Sequence, residues 1–210
     1  MIIYNQRVSP RPRAKTDEDV LEGTLAVIRR LGPSRMTLAD VAREVGLAPA
    51  TLVQRFGSKR GLLLAVARHG SATVAREFAG IRAGRESPLA ALGAVARCMT
   101  SMVETPEALA NSLAFLRMDL ADPEFRKYAQ RHAEAMRSEI RALLDAAIEC
   151  GELGPCDTRR LARAVHGLLN GSLLSWALDH EGPVEKRVAE DLDVVLGPHR
   201  RAPSLSRRRR

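Results

Sequence analysis

Residues 37–63 run TLADVAREVGLAPATLVQRFGSKRGLL. The run reads as two short helices joined by a tight turn, with a third helix starting directly afterwards. Thr37 and Asp40 stand three apart as a capping box: the Thr oxygen accepts a free first-turn N–H and the Asp reaches back to the Thr37 N–H. Leu38, Val41, Ala42 and Val45 then share one helical face. Gly46 turns the chain, because a left-handed backbone costs a residue without Cβ little. Leu47 tucks under the turn. The second helix starts near Ala48, with Pro49 in the first turn, where its missing N–H is not needed. Leu52 and Phe56 give it an inner face; Pro49, Ala50, Val53, Gln54 and Arg55 give it an outer one. A helix of about eight residues does not hold itself together in water, so its use lies in the surface it presents. A short helix propped at a steep angle by its neighbour is the geometry that enters a DNA major groove. An ordinary helical hairpin inside an α-helical core has the same spacing.

GLAPATLVQRFGSKRGLL, residues 46–63, resembles the recognition-helix stretch of the TetR family of one-component transcriptional regulators (TetR/AcrR-like), whose pattern reads roughly G-[VI]-S-x-x-[TA]-[LI]-Y-x-[YH]-F-x-[SN]-K-x-x-L. Gly46, Thr51, Leu52, Phe56, Ser58, Lys59 and Leu62 stand in the matching places. The resemblance extends over about residues 16–65 and is specific as a set. Two positions depart from it. The Ser at the helix start is Ala48, which removes a cap worth ~1 kcal/mol. The Tyr that touches a DNA phosphate in the family is Val53, leaving Gln54 or Arg55 to substitute.

The first helix is expected from Thr16, capped with Asp19 and carrying Asp17, Glu18 and Asp19 at the positive end of its dipole. Gly32-Pro33 ends it. The fourth helix starts at Ser58 and runs to about Gly84. Lys59 and Arg60 in its first turn oppose the dipole, a placement that makes sense if a DNA phosphate lies there. Ser87-Pro88, Thr105-Pro106 and Asp122-Pro123 each set a capping side chain before a proline. They open helices over about 88–103, 106–121 and 123–150. Asp157 caps a helix over 158–179, and a last helix runs over 184–196. The fold class expected is all-α: a three-helix, helix-turn-helix DNA-binding domain over 16–60, then a helical-bundle ligand-binding and dimerisation domain over 61–197.

Composition agrees with that class. Runs with period-two alternation of β-branched residues are missing, which argues against sheet. No apolar run is long enough to span a bilayer, and MIIYNQRVSPRPRAK lacks an apolar signal core, so a cytoplasmic protein is expected. The net charge of +8 is uneven: residues 1–16 and 198–210 hold ten cations and no acid, leaving −2 for everything between. Residues 1–15 read as a disordered basic arm and 198–210 as a disordered Arg-rich tail. Either these are solubilising ends or they attach to nucleic acid electrostatically. Cys98, Cys150 and Cys156 form no CxxC pair and read as reduced, small, buried or partly buried thiols. No metal-ligand spacing or paired carboxylates point to catalysis, and no cofactor is expected.

The resemblance implies a ligand pocket in the second domain, between the fourth and eighth helices. Apolar candidates for its lining include Met99, Met102, Leu113, Phe115, Leu116, Leu120 and Trp176; core packing is the competing role for each. Polar residues that interrupt apolar faces are better clues, because burial without a partner is expensive: Asn111, Arg117, His166 and Asn170. For His166 the competing role is a satisfied core or interface histidine. The stripe Leu161, Val165, Leu168, Leu169, Ser172 and Trp176, continued by Val188 and Leu192, is either an intramolecular core or, as the resemblance favours, a four-helix homodimer interface. The function expected is that of a dimeric repressor, released from a near-palindromic operator by a largely apolar effector. Thr37, Thr51, Arg55 and Lys59 hold phosphates. Pro49, Ala50 and Val53, with Ala39 beside them, offer apolar contact, and Gln54 reads adenine. Two other classes stay open: a nucleoid-type binder without sequence preference, and a helical ligand carrier or enzyme.

Overall fold

The computed structural model describes residues 15–85, 87–103 and 105–201. Among these run the helices α1 (Asp17–Arg35), α2 (Leu38–Val45), α3 (Pro49–Phe56), α4 (Lys59–Arg82), α5 (Pro88–Ser101), α6 (Pro106–Ala121), α7 (Pro123–Glu149), α8 (Thr158–Asp179) and α9 (Val184–Leu196). No strand occurs among the described residues, only an isolated pairing of Leu153 with Arg200. The starts follow side-chain chemistry. Thr16–Asp19 and Thr37–Asp40 close both bonds of a capping box, and Ser87, Thr105 and Asp122 each cap a helix that opens on proline. Ala48 leaves α3 without a side-chain cap.

α1 breaks at Gly32, which sits at φ 75°, and a last turn closes when Met36 N–H donates to Gly32 O. The left-handed backbone suits a residue without Cβ, and the space is occupied as well: a Cβ there would lie 2.7 Å from Asn111 Oδ1. Gly61 is demanded by contact alone. A Cβ on it would lie 2.1 Å from the Phe56 carbonyl oxygen, so the sharp corner from α3 into α4 needs glycine.

Two clusters of buried side chains hold the molecule. The first gathers Val20, Val27, Val41, Leu52 and Leu62 of α1–α4, and also Phe125 from the first turn of α7. The second joins α4, α5, α7, α8 and α9 around Leu92, Ile140, Leu144, Val165, Leu169 and Leu196. α6 lies against α1, and α7 against α4. Asn111 Nδ2 on α6 donates to Arg29 O on α1 at 2.8 Å. Arg60, at the start of α4, pairs with both Asp122 and Glu124 at 2.7 Å. Phe115 packs edge-on to Phe125, with centroids 5.9 Å apart.

Three expectations change here. The stripe on α8 and α9 faces inward within one chain: Leu161, Val165, Leu169, Ser172, Trp176, Val188 and Leu192 are buried, and Leu168 packs against the same cluster. Ser172 Oγ donates to Asp191 at 2.6 Å and Trp176 Nε1 to Gly182 O at 3.0 Å. The buried residues of the stripe thus face this chain's own core rather than a second chain, and Leu168 is half-buried. Helical period finds an apolar face, but the helix that covers it comes from elsewhere in the sequence. The expected tail also begins later than 198. A single 3-10 turn over Gly197–His199 leads to Gly154 N–H donating to His199 O at 2.8 Å and Arg201 N–H donating to Glu152 O at 3.2 Å. Those backbone bonds clip the chain to the loop after α7; residues 202–210 lie outside the described residues, as do most of the basic arm, residues 1–14. Finally, Cys98 and Cys150 are exposed and only Cys156 is half-buried.

Candidate functional site

The outer face of α3 is open. Pro49, Ala50, Val53 and Gln54 are exposed, Val53 by 48%. Leu52 on the opposite face is fully buried and anchors the helix. Thr37 and Ala39 are exposed at the start of α2, and Thr51 is half-buried. Hydrogen bonds from the Thr37 hydroxyl and N–H hold the Asp40 carboxyl below its ordinary range, so the capping box is charged at neutral pH.

The cations of this surface are not equivalent. Arg55 was expected to hold phosphate, but its Nε donates to Asp17 Oδ1 at 2.7 Å and its Nη1 to Lys15 O at 3.0 Å. It clamps α3 to the start of α1. Arg43 pairs with Asp40 at 3.2 Å. Arg60 is held by the Asp122 and Glu124 carboxylates, which raise its pKa, and its guanidinium in turn lowers that of Asp122. Lys59 keeps its position at the α4 N-terminus, where Ser58 Oγ caps the Gly61 N–H, and its Nζ donates to the Ser34 carbonyl at 2.8 Å. It makes no ion pair among the described residues, so of these four it is the one free to turn to an external anion.

A second feature lies between the helices. A pocket of about 620 Å³ is walled by α1, α4, α5, α6, α7 and α8. Met99, Phe115, His166 and Asn170 line it as expected, with Leu113 and Leu116. Met102, Asn111 and Arg117 do not. Met102 is exposed and faces a separate surface cleft of about 500 Å³. The Asn111 amide is spent on the α1 backbone, and Arg117 is exposed. Leu120 is 63% exposed and Trp176 belongs to the core. Sequence reasoning missed Asp119, Tyr128 and His132, all on the wall. Asp119 stands three and four residues after Leu116 and Phe115, so its place on an apolar α6 face was a readable signal. Its Oδ1 is buried with no hydrogen-bond partner among the described residues, and burial pushes its pKa up to about 6. Burial likewise lowers the pKa of His166, with Arg137 and His132 acting in the same direction, which favours its neutral form at pH 7.

No group of three or more His, Cys, Asp or Glu side chains among the described residues could hold a metal ion. No helix among them is long and apolar enough to cross a membrane.

The family model described as "Bacterial regulatory proteins, tetR family" matches residues 20–66, and that described as "BetI-type transcriptional repressor, C-terminal" matches residues 88–196. The chain belongs to the TetR family. The first match spans α2, α3 and the corner into α4, and the second spans the helices that wall the pocket from α5 onward. TetR-family proteins are DNA-binding transcriptional regulators, not enzymes. The HTH-type transcriptional regulator BetI of Burkholderia thailandensis is 28% identical over 190 residues, 85% of this chain and 92% of that protein. The fold is shared with a TetR regulator from Haloarcula marismortui: TM-score 0.67, 17% identity, 88% of this chain and 98% of that one. It is shared also with FadR of Bacillus subtilis, solved with stearoyl-CoA: TM-score 0.66, 15% identity, 86% of this chain and 97% of that one.

Proposed function

We propose that this TetR-family chain is a cytoplasmic homodimeric repressor, released from a near-palindromic operator when a small, largely apolar molecule fills the α4–α8 pocket. The observation that carries the reading is the composition of the pocket wall. Leu25 of α1 and Val66, Ala67 and Gly70 of α4 stand in it beside residues of α6, α7 and α8. A ligand there touches the reading head and the bundle together. It shifts the equilibrium between two α1–α4 arrangements by its difference in affinity for them. The joint has two parts: α4, which runs from Lys59 at the DNA end to the pocket, and α6, tied to α1 by Asn111. That FadR of the same fold was solved with stearoyl-CoA supports a small-molecule effector.

The surface we assign to the dimer is the outward face of α8 and α9. Gly167, Gly171, Leu174 and Leu178 form an exposed stripe on α8, of which Gly171 and Leu174 also border the pocket, and Val194 is exposed on α9. Leu178 and Val194 are 80% and 74% accessible in the single chain. Each half-operator then takes one α3 in the major groove, with two-fold symmetry in the protein mirrored in the DNA. Because α3 offers few hydrogen-bonding readers, the basic arm supplies much of the affinity.

Selection of bound sequences from random duplex DNA tests the core of the reading: a near-palindrome is expected, and equal capture of all sequences would overturn it. Deleting residues 1–15 removes Arg7, Arg11, Arg13 and Lys15. It is expected to flatten the slope of log affinity against log salt by up to about 3–4. An unchanged slope would rule out the arm.

A further inference from the structure

Asp119 is an acid in the wrong company. It sits on α6 between Leu116 and Leu120, on a wall otherwise built from Leu, Met, Phe, Val and Ala with few polar groups. Its Oδ1 has no solvent access and no hydrogen-bond partner among the described residues. Leaving a carboxylate oxygen in that state is among the costlier arrangements in a folded chain. The remaining polar groups of the wall do not relieve it. Asn170 Nδ2 donates to His166 O within α8 at 2.9 Å. His132 Nδ1 donates to Gly70 O at 3.1 Å. The titratable groups facing the cavity are Tyr128 and His132 from α7 and His166 from α8; α1, α4 and α5 contribute Leu25, Val66, Ala67, Gly70 and Met99, none of which titrates. His166 is shifted towards its neutral form. The cavity therefore presents one anionic acceptor, two aromatic rings (Phe115 and Tyr128), the polar side chains of His132, His166 and Asn170, and an otherwise apolar wall.

We propose that the ligand of this pocket is an amine with a protonated N–H head on an apolar body, and that Asp119 receives the head. This deepens the effector reading and rests on it for the regulatory consequence, though not for the binding itself. An N–H⁺ donor in the cavity satisfies the half-buried carboxyl, once it turns inward, with a charge-assisted hydrogen bond; Phe115 adds an aromatic ring that favours a cation, whereas the Tyr128 ring already carries the Arg131 guanidinium at 5.9 Å. A fatty acid would place a second anion beside Asp119. A hydrocarbon would leave the oxygen as it is. A quaternary ammonium has the charge but no N–H.

The test uses the full chain without DNA, titrated calorimetrically at pH 7.5 with four ten-carbon probes: decylamine, 1-decanol, decyltrimethylammonium and decanoate. Decylamine is expected to bind at least about tenfold more tightly than the alcohol or the quaternary ion, and decanoate least. Asp119→Asn should erase the amine's advantage while still binding decanol; its melting curve shows that it is folded, and Asp119→Glu should restore part of the preference. Equal affinity for amine and alcohol, or an Asp119→Asn protein that still prefers the amine, overturns the proposal. Equal affinity for the amine and the quaternary ion overturns the N–H requirement. Operator binding is measured separately. If decylamine binds through Asp119 but operator affinity does not change, the site stands and the effector reading falls.

Discussion

α3 is half the length of α6, and each buries a single residue: Leu52 in α3, Leu109 in α6. Ala48 leaves the start of α3 itself uncapped, but the caps and corners on either side of it are closed. Thr37 and Asp40 bond reciprocally, Arg55 ties α3 to α1, Ser58 caps α4, and Gly61 lets the chain turn against Phe56. α6 is capped by Thr105 and tied to α1 by Asn111, yet its pocket side is loosely packed. Leu113, Leu116 and Leu120 are exposed, a pocket of about 620 Å³ lies beneath, and Asp119 Oδ1 has no hydrogen-bond partner among the described residues. In the function proposed above, a short helix that meets DNA at a fixed angle is held by its neighbours, and a longer helix that answers a ligand is left with packing for the ligand to complete. The proposed function thus places rigidity at the reading surface and unsatisfied potential at the sensing one.

The largest expected effect breaks that contrast directly. Leu52→Ala removes a fully buried side chain from the cluster under α3, and should cost about 2–5 kcal/mol in denaturant unfolding, with loss of DNA capture. Leu116→Ala, on the exposed and pocket-facing side of α6, should cost less than about 1 kcal/mol. Similar costs at the two positions would mean that α6 is as firmly packed as α3.

The same contrast explains what the sequence could and could not tell. Helix boundaries were legible because they are set locally: Thr16, Thr37, Ser87, Thr105, Asp122 and Asp157 each supply their cap within three residues. The exposed outer face of α3 was legible because its motif is contiguous. Contacts over long separations were not. Arg55 meets Asp17 across 38 positions and Asn111 meets Arg29 across 82, so one expected phosphate contact became a clamp and one expected ligand contact became a joint. The α8 stripe shows the same limit from the apolar side. Its period was right, but what covers Leu161, Val165 and Leu169 is this chain's own core. Asp119 was readable in principle and was overlooked because a single acid on a helix face is common.

A middle-sized effect sharpens the reading-surface half. Lys59 and Arg55 are both cations near α3, yet only Arg55 is tied to a carboxylate, Asp17. Lys59→Ala should weaken binding alike for all sequences and lower the salt slope by about 1, the signature of one lost phosphate contact. Arg55→Ala should leave the slope nearly unchanged and instead loosen α3, seen as a lower melting temperature. Salt titrations of DNA affinity on both variants separate the roles. A slope change confined to Arg55→Ala would return that residue to the phosphate set.

The smallest expected effect concerns stability of the empty protein against pH, and its sign is distinctive. Asp119 titrates at about 6 in the folded chain against an ordinary 3.8. Between those values the folded state holds the extra proton, so stability from this group falls as pH rises through 6 and is level above it. Two pKa units correspond to about 3 kcal/mol at full burial; for a half-buried side chain, solvent screening brings that to about 1 kcal/mol. Asp40, Asp122 and Asp179 run the other way, since hydrogen bonds hold their pKa values low, so their contributions are present above about pH 4 and are lost below it. The total profile mixes both signs. The difference between wild type and Asp119→Asn isolates one. Asp119→Asn should be the more stable protein at pH 7.5, and its advantage should shrink towards zero as pH falls from 7 to 4, while its amine preference is gone throughout. A carboxylate whose removal strengthens the fold and abolishes ligand discrimination is retained for what it binds. An Asp119→Asn protein less stable than wild type at pH 7.5 would show that the oxygen has a partner after all, and that the pocket is packed on the same terms as α3.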